Sequence, residues 1–315
     1  MTTQPLLERI KSGLQVLALD YDENEMVRIN MPNSQTNEYQ EITDRDGRSY
    51  LIRINGCLWA PFSRETESNN LALLRGQNIQ TSVLYNGDGF QICRLPEGQR
   101  FFSITDQAAI ENCLERIAQS IRTYQQVTQF QNQLSARELV ENAFRSLPKE
   151  RQQQLATIHQ IIMIFICHID TDGFDKVSSH NDLLPSSIFD NNGNVIIVDW
   201  EYSARNHPYY DLAHLSVHSS LTSQQDDVLL RHHNEPVADP SVVQRQSFIY
   251  LKVVLKKNPQ ITGSDNKVFY GDGAGREEQT TLLRKAGDHA GRILEGGTDV
   301  VIAPVKWLAH MQENW

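Results

Sequence analysis

Two carboxylates seventeen residues apart, Asp182 and Asp199, frame the stretch SHNDLLPSSIFDNNGNVIIVDWEY at residues 179–202. Asp182 lies in a segment too polar, and too broken by Pro185, to continue the apolar run before it, so the spacing predicts an ordered loop. The next residues, SSIF, DNNGN and VIIVDW, predict a hairpin turning at Asn192 and Gly193 and burying Val195 to Val198. An aspartate ending such an apolar strand is costly unless its charge meets a metal, a cation or several donors. The chemistry implied is metal-assisted, with one acidic side chain at the ion and another near the reacting group.

The elements that must position this pair divide the chain. After the amphipathic start LLERIKSGLQVL, the segments EMVRIN, NEYQEIT and RSYLIRI read as three strands, the last two joined at Asp46 and Gly47. Ser63, with Glu65 and Glu67 just after it, predicts an N-capped helix. VLYNGDGFQICRL reads as a further hairpin. From about residue 105 the period turns helical, with Ile110, Leu114, Ile117, Ile121 and Tyr124 on one face. Ser135 and Glu138 form a capping box, Pro148 interrupts the helix they open, and residues 150–169 predict another whose tail is almost wholly apolar. Strands with one helix, a short link near 95–101, then helices with an embedded hairpin predict an α+β protein of two unequal lobes, residues 1–98 and 99–315. The cleft between them is the natural ligand site.

HNDLLPSS, then IIVDWEYS, then YYDLA together resemble the choline and ethanolamine kinases, within the wider group of aminoglycoside phosphotransferase-like enzymes; that family shows HNDLxPxN followed by IDxEYxxxNxxxYDLA. The match is close over roughly residues 178–215. The resemblance implies a bilobed protein-kinase-like fold, with a small antiparallel-sheet N-lobe and a larger, mainly helical C-lobe. It implies transfer of the terminal phosphoryl group of ATP to an alcohol with Mg²⁺ as cofactor. By carry-over Asp182 accepts or orients the hydroxyl proton, His180 braces the loop, and Asp199 holds Mg²⁺. Asp211 in YYDLA would bond back to the catalytic loop. The family's TN-containing loop, arginine strand and RxxE helix correspond to PNSQTN at 32–37, YLIRING at 50–56 and RETE at 64–67. Arg53 then falls where the family contacts ATP phosphates and Glu67 where it pairs with that arginine. A solvent-facing arginine in an alternating strand is the other reading.

Two positions depart from the family pattern. The second metal ligand, an Asn in the family, is Ser187 here, and a serine oxygen is a poorer ligand for Mg²⁺. The loop between the first two strands has no glycine, leaving Asn33, Ser34, Thr36 and Asn37 to serve phosphates with side-chain donors. For a cationic head group the candidates are Glu201 and Tyr210. Choline kinases also enclose the ammonium in aromatic rings, for which Phe248, Tyr250, Trp307 and Trp315 are available, although aromatics on helices more often serve the core.

Bulk composition agrees with these expectations. A chain of 315 residues with 39% hydrophobic and 22% charged residues supports a sizeable core. A formal net charge of -10 argues against nucleic-acid binding and for a cationic small-molecule partner. Cys57, Cys93, Cys113 and Cys167 form no CxxC pair and read as reduced, mostly buried thiols of a cytoplasmic protein. The longest apolar run, IIMIFIC at 161–167, is far short of the roughly 20 residues a membrane span needs. GDGAG at 271–275 reads as a turn, His232 and His233 as solvated, and residues 257–300 as a specialised insertion. Oligomeric state is left open. The leading function is an ATP-dependent kinase for an amino alcohol, choline or ethanolamine; thiamine or an aminoglycoside as acceptor, or a nucleotide-binding pseudokinase without turnover, are the alternatives.

Overall fold

Strict alternation in the first third of the chain produces a sheet with two different faces. In the computed structural model the described residues are 37–257 with short breaks at 57, 59–61, 80–82, 88, 128–129, 192 and 235–239, together with 27–29 and residues 11, 14, 15 and 17. Strands β1 (Val27–Ile29), β2 (Glu38–Thr43), β3 (Ser49–Ile54), β4 (Val83–Gly87) and β5 (Phe90–Arg94) form an antiparallel sheet in the order β1-β2-β3-β5-β4. On one face Ile42, Tyr50, Ile52, Phe90 and Ile92 close a small core with Leu14. Because side chains alternate, Leu51 and Arg53 fall on the other face. The register sets Tyr39 opposite Arg53 and Arg53 opposite Gln91, making one polar row across three strands.

Helix α1 (Arg64–Leu73) covers that second face. It starts where its sequence asks it to: the Ser63 hydroxyl accepts the Thr66 N–H at 3.1 Å, and Glu65 and Glu67 occupy the positive first turn. From β5 the chain runs through Leu95–Gly98 into β6 (Gln99–Arg100), which pairs with β8 (Ile188–Asp190), itself paired with β9 (Val195–Ile197). Gly98 has φ +113°, and a Cβ on it would lie 2.3 Å from the Asp190 carbonyl oxygen, so backbone of the connection packs directly on backbone of the hairpin.

The remainder is mostly helical: α2 (Gln107–Gln125), α3 (Ala136–Ser146), α4 (Lys149–Thr171), α5 (Tyr210–His218), α6 (Ser223–Asn234) and α7 (Val242–Lys257). The α2 face carrying Leu114, Ile117, Ile121 and Tyr124 is buried in the main core. Ser135 caps α3 by accepting the Glu138 N–H, and Pro148 stands at the start of α4, whose Ile162, Ile166 and Ile169 enter the same core. A two-stranded ribbon, β7 (Val177–Ser179) with β10 (Ala204–Asn206), holds the ends of the motif region together.

Three details differ from the sequence expectations. Strand β9 stops at Ile197, so Asp199 lies beyond it in a left-handed conformation at φ +68° rather than as its last residue. Cys167 is exposed, unlike the buried Cys93 and Cys113, because α4 turns that side outward. His233 is buried and bonds Gln125 at 2.8 Å rather than being solvated. Among the described residues no helix is long and apolar enough to cross a membrane. Thr36 and its loop, Cys57, the Asn192 half of the hairpin turn, GDGAG, residues 258–300, Trp307 and Trp315 lie outside the described residues.

Candidate active site

The polar row on the sheet and the DWE segment after β9 meet across a crevice lined by Tyr39, Arg53, Glu67 and Gln91 on one side and Val198 and Asp199 on the other. Arg53, 2% exposed, has its guanidinium held in a fork by Glu67, at 2.7 and 2.8 Å, and reaches Asp199 Oδ1 at 3.3 Å. The solvent-facing alternative for Arg53 is therefore excluded: helix α1 and the DWE segment cover the sheet face that alternation would otherwise leave wet. Burial works against its charge, but Glu67 and Asp199 outweigh it and keep the guanidinium protonated. Burial likewise opposes the charge on Glu67, and Arg53 and Arg64 overcome it, holding the carboxyl below its ordinary range.

The small lobe grips the DWE segment at two residues. Tyr39 donates its hydroxyl to Asp199 Oδ2 at 2.8 Å. Glu201, only 3% exposed, accepts Asn37 Nδ2 at 2.7 Å and Arg64 Nη1 at 2.8 Å through the same oxygen. Burial and the charge of Asp199 nonetheless push the Glu201 carboxyl upward. Glu201 thus serves a tie between lobes, where the sequence suggested a head-group contact. Sequence reasoning missed Tyr39 altogether; its only signal was an aromatic aligned with Arg53 by strand parity.

The catalytic-loop candidate is held by Asp211, which is fully buried at the start of α5. Its Oδ2 accepts the His180 N–H at 2.7 Å and the Tyr124 hydroxyl at 2.8 Å, and its Oδ1 accepts the Asn181 N–H at 2.8 Å. Burial pushes Asp211 up while these donors pull it down; two of them are backbone N–H groups that can only donate, which selects the carboxylate. Asn181, at φ +68°, donates to the Tyr202 carbonyl at 2.8 Å and accepts from Asn206, so it stitches the loop to the segment after DWE.

His180 joins the two aspartates. Its Nδ1 accepts the Asp182 N–H at 3.3 Å, which leaves Nε2 to donate to the Val198 carbonyl at 3.0 Å. The ring is neutral, as burial also dictates by lowering its pKa, and it packs on Trp200. One imidazole therefore spans the backbone of Asp182 and the residue before Asp199. Ser187 sits beside the same seam, its carbonyl accepting the Val198 N–H at 2.9 Å.

Asp182 itself keeps 31% of its side chain open, and Asp199 20%. Desolvation first, then the charges of Asp199, Glu201 and Asp211, raise the Asp182 carboxyl well above its ordinary range. Counting Glu67, five carboxylates share this region with two guanidinium groups, Arg53 and Arg64. The surplus negative charge and the hard oxygen donors fit a divalent cation of the Mg²⁺ type. Among the described residues no three His, Cys, Asp or Glu side chains are arranged to hold an ion unaided, so Asp199 and Ser187 would share it with oxygens of a bound substrate.

Of the acceptor-site candidates, Tyr210 is 1% exposed and stacks at 6.2 Å on His214. Tyr250 on α7 packs between Phe165 and His168 of α4 and accepts Gln246 at its hydroxyl. Both are core-facing.

The family model described as choline/ethanolamine kinase matches residues 22–270. Protein LicA of Haemophilus influenzae is 25% identical over 197 residues, 58% of this chain and 71% of that one. Choline kinase LicA of Streptococcus pneumoniae superposes with a TM-score of 0.65 at 19% identity, covering 89% of this chain and 96% of its own. A spectinomycin phosphotransferase, APH(9)-Ia, solved with ADP and spectinomycin, gives 0.54 at 11% identity over 85% and 93%. These superpositions establish the bilobed, protein-kinase-like α+β fold.

Proposed function

The chain belongs to the choline/ethanolamine kinase family, a family of small-molecule kinases, and from that premise we propose that it transfers the terminal phosphoryl group of ATP to the hydroxyl of an amino alcohol, choline or ethanolamine, with Mg²⁺ and with its lobes divided near residue 98. The observation that carries this reading is the His180 ring bonded at one nitrogen to the Asp182 backbone and at the other to Val198 beside Asp199. It fixes the two acidic loops relative to each other, and positioning is most of what phosphoryl transfer requires of a protein.

In this mechanism Asp182 receives the hydroxyl's hydrogen bond and aligns its oxygen for attack. The raised affinity of Asp182 for protons, caused by burial and by Asp199, suits a group that must accept one. Arg53, fixed by Glu67, presents positive charge to the phosphates; Asn37 and Arg64 keep Glu201, and with it the DWE segment, against the small lobe. Asp199 and Ser187 would hold Mg²⁺, which would supply neutralisation of phosphate charge. Net negative charge around the crevice favours a cationic acceptor over a neutral one. Tyr210 and Tyr250 shape the acceptor region from within the core, behind its surface.

The test is phosphate transfer by purified protein with Mg²⁺ and ATP over choline, ethanolamine, thiamine and an aminoglycoside. Transfer that needs both metal and an amino alcohol, and that disappears in Asp182→Ala, is the expected result. Thermal stabilisation by ATP with no transfer to any acceptor would instead favour a nucleotide-binding pseudokinase.

A further inference from the structure

His214 follows YYDLA directly and is not used by the mechanism above. It is fully buried on α5, one turn after Asp211, with its ring Nε2 3.5 Å from Asp182 Oδ1. Its Nδ1 lies 3.3 Å from the Leu183 carbonyl. A carbonyl can only accept, so Nδ1 carries a hydrogen and, in the neutral ring, Nε2 presents a lone pair toward a carboxylate oxygen. Two lone pairs facing each other in a buried setting repel unless a proton lies between them. On the ring's other flank His218 stacks at 4.4 Å with planes 29° apart, and His218 Nε2 has no hydrogen-bond partner among the described residues.

We propose that Asp182 and His214 form a proton-sharing pair in which His214 positions Oδ1 and receives, at Nε2, the proton that Asp182 takes from the acceptor hydroxyl. This rests on the kinase reading of the site. The balance is simple: the acceptor O–H bond breaks and its oxygen bonds phosphorus as the bridging bond to ADP breaks, and the proton moves to Asp182 and then to His214. Positive charge created on the ring is met by the carboxylates around it: Asp182 with Asp199 and Glu201 beyond it, and Asp211 on the same helix. The other groups facing this helix are occupied elsewhere. Tyr124 of α2 bonds Asp211, and Asp226 of α6 and Lys252 of α7 pair with each other at Ser216. Burial holds His218 neutral, lowering its pKa to about 4, so the stacked neighbour does not repel the charged ring.

The experiment has two arms on the full chain. In the first, kcat and KM are measured against pH with ATP, Mg²⁺ and choline for wild type, His214→Gln and His214→Leu, with circular dichroism to confirm folding. Gln can hydrogen-bond Oδ1 but cannot take a proton, so KM should stay within about twofold while kcat falls about tenfold and the acid limb of its profile moves down by about one pH unit. His214→Leu loses the positioning as well and should be slower than Gln. A Gln profile superimposable on wild type overturns the proposal. In the second, ring-carbon NMR of labelled histidines follows the His214 titration in wild type and Asp182→Asn. Removing the carboxylate's charge should lower the midpoint by about one unit, and an unmoved midpoint also overturns the pair. Wild-type protein that phosphorylates nothing refutes the kinase reading by itself, and the NMR arm still decides the pair.

Discussion

Replacing Asp211 by Asn tests whether the active site is organised by three hydrogen bonds at one buried carboxylate. The carboxylate accepts from the His180 N–H, the Asn181 N–H and the Tyr124 hydroxyl. An amide keeps one accepting oxygen and turns the other into a donor. If the NH2 replaces Oδ1 it confronts the Asn181 N–H, and one charge-assisted bond is lost with a buried donor left unpaired. If it replaces Oδ2, the His180 N–H is stranded in the same way and only the hydroxyl can rotate to compensate. Taking the better arrangement, one lost charge-assisted bond and one stranded donor cost about 2–4 kcal/mol. With a slope of about 3 kcal/mol per molar urea, the unfolding midpoint should fall by about 1 M. Because the freed backbone belongs to His180 and Asn181, Asp182 loses its placement too, and kcat should drop about 100-fold. Tyr124→Phe removes a single donor without stranding one and should cost only about 1 kcal/mol. An Asp211→Asn protein with an unchanged urea midpoint and full kcat would refute the reasoning.

Gly98→Ala places a Cβ 2.3 Å from the Asp190 carbonyl at φ +113°, so the connection and the hairpin must part; a stability loss of about 3 kcal/mol by urea unfolding, together with reduced transfer, is expected, and a silent substitution would contradict the close packing. Arg53→Lys keeps charge but not the fork onto Glu67, and KM for ATP should rise about tenfold in steady-state kinetics with little change in the acceptor KM. His233, held neutral by burial with its pKa lowered to about 4, binds a proton more weakly folded than unfolded. Its contribution is therefore complete above the unfolded value of about 6.5 and is lost as pH falls from there toward 4, amounting to about 3 kcal/mol. Urea midpoints at pH 7 and pH 4.5 should converge in His233→Gln relative to wild type.

How much of this was legible in the sequence depended on range. Ser63 and Ser135 announced their helices because a cap is satisfied three residues away, and the sheet of β2, β3 and β5 followed from alternation. The sequence also singled out Asp182, Asp199, Arg53 and Glu67 through motifs; the last three line one crevice, and Asp182 is linked to the residue before Asp199 through the His180 ring. What it could not show were pairings set only when the lobes close. Asn37 reaches Glu201 across 164 positions and Arg64 reaches it across 137; nothing local in DWEYS distinguishes a carboxylate that binds a ligand from one that binds an arginine. Strand parity put Arg53 on one face but could not say that the face would be covered. His214 was invisible for a related reason: a histidine in an apolar helix reads as packing until the loop that bears Asp182 is laid against it.

Asp199 and Glu201 are neighbours but one, and each is tethered to the small lobe by different donors. A change at either carboxylate would therefore disturb turnover and loosen the molecule's two halves together, so its phenotype could not be divided between chemistry and architecture. The division is cleaner from the opposite bank, where Asn37 and Arg64 hold Glu201 and Tyr39 holds Asp199, so genetic dissection of this site should begin in the sheet and its helix, away from the conspicuous motif.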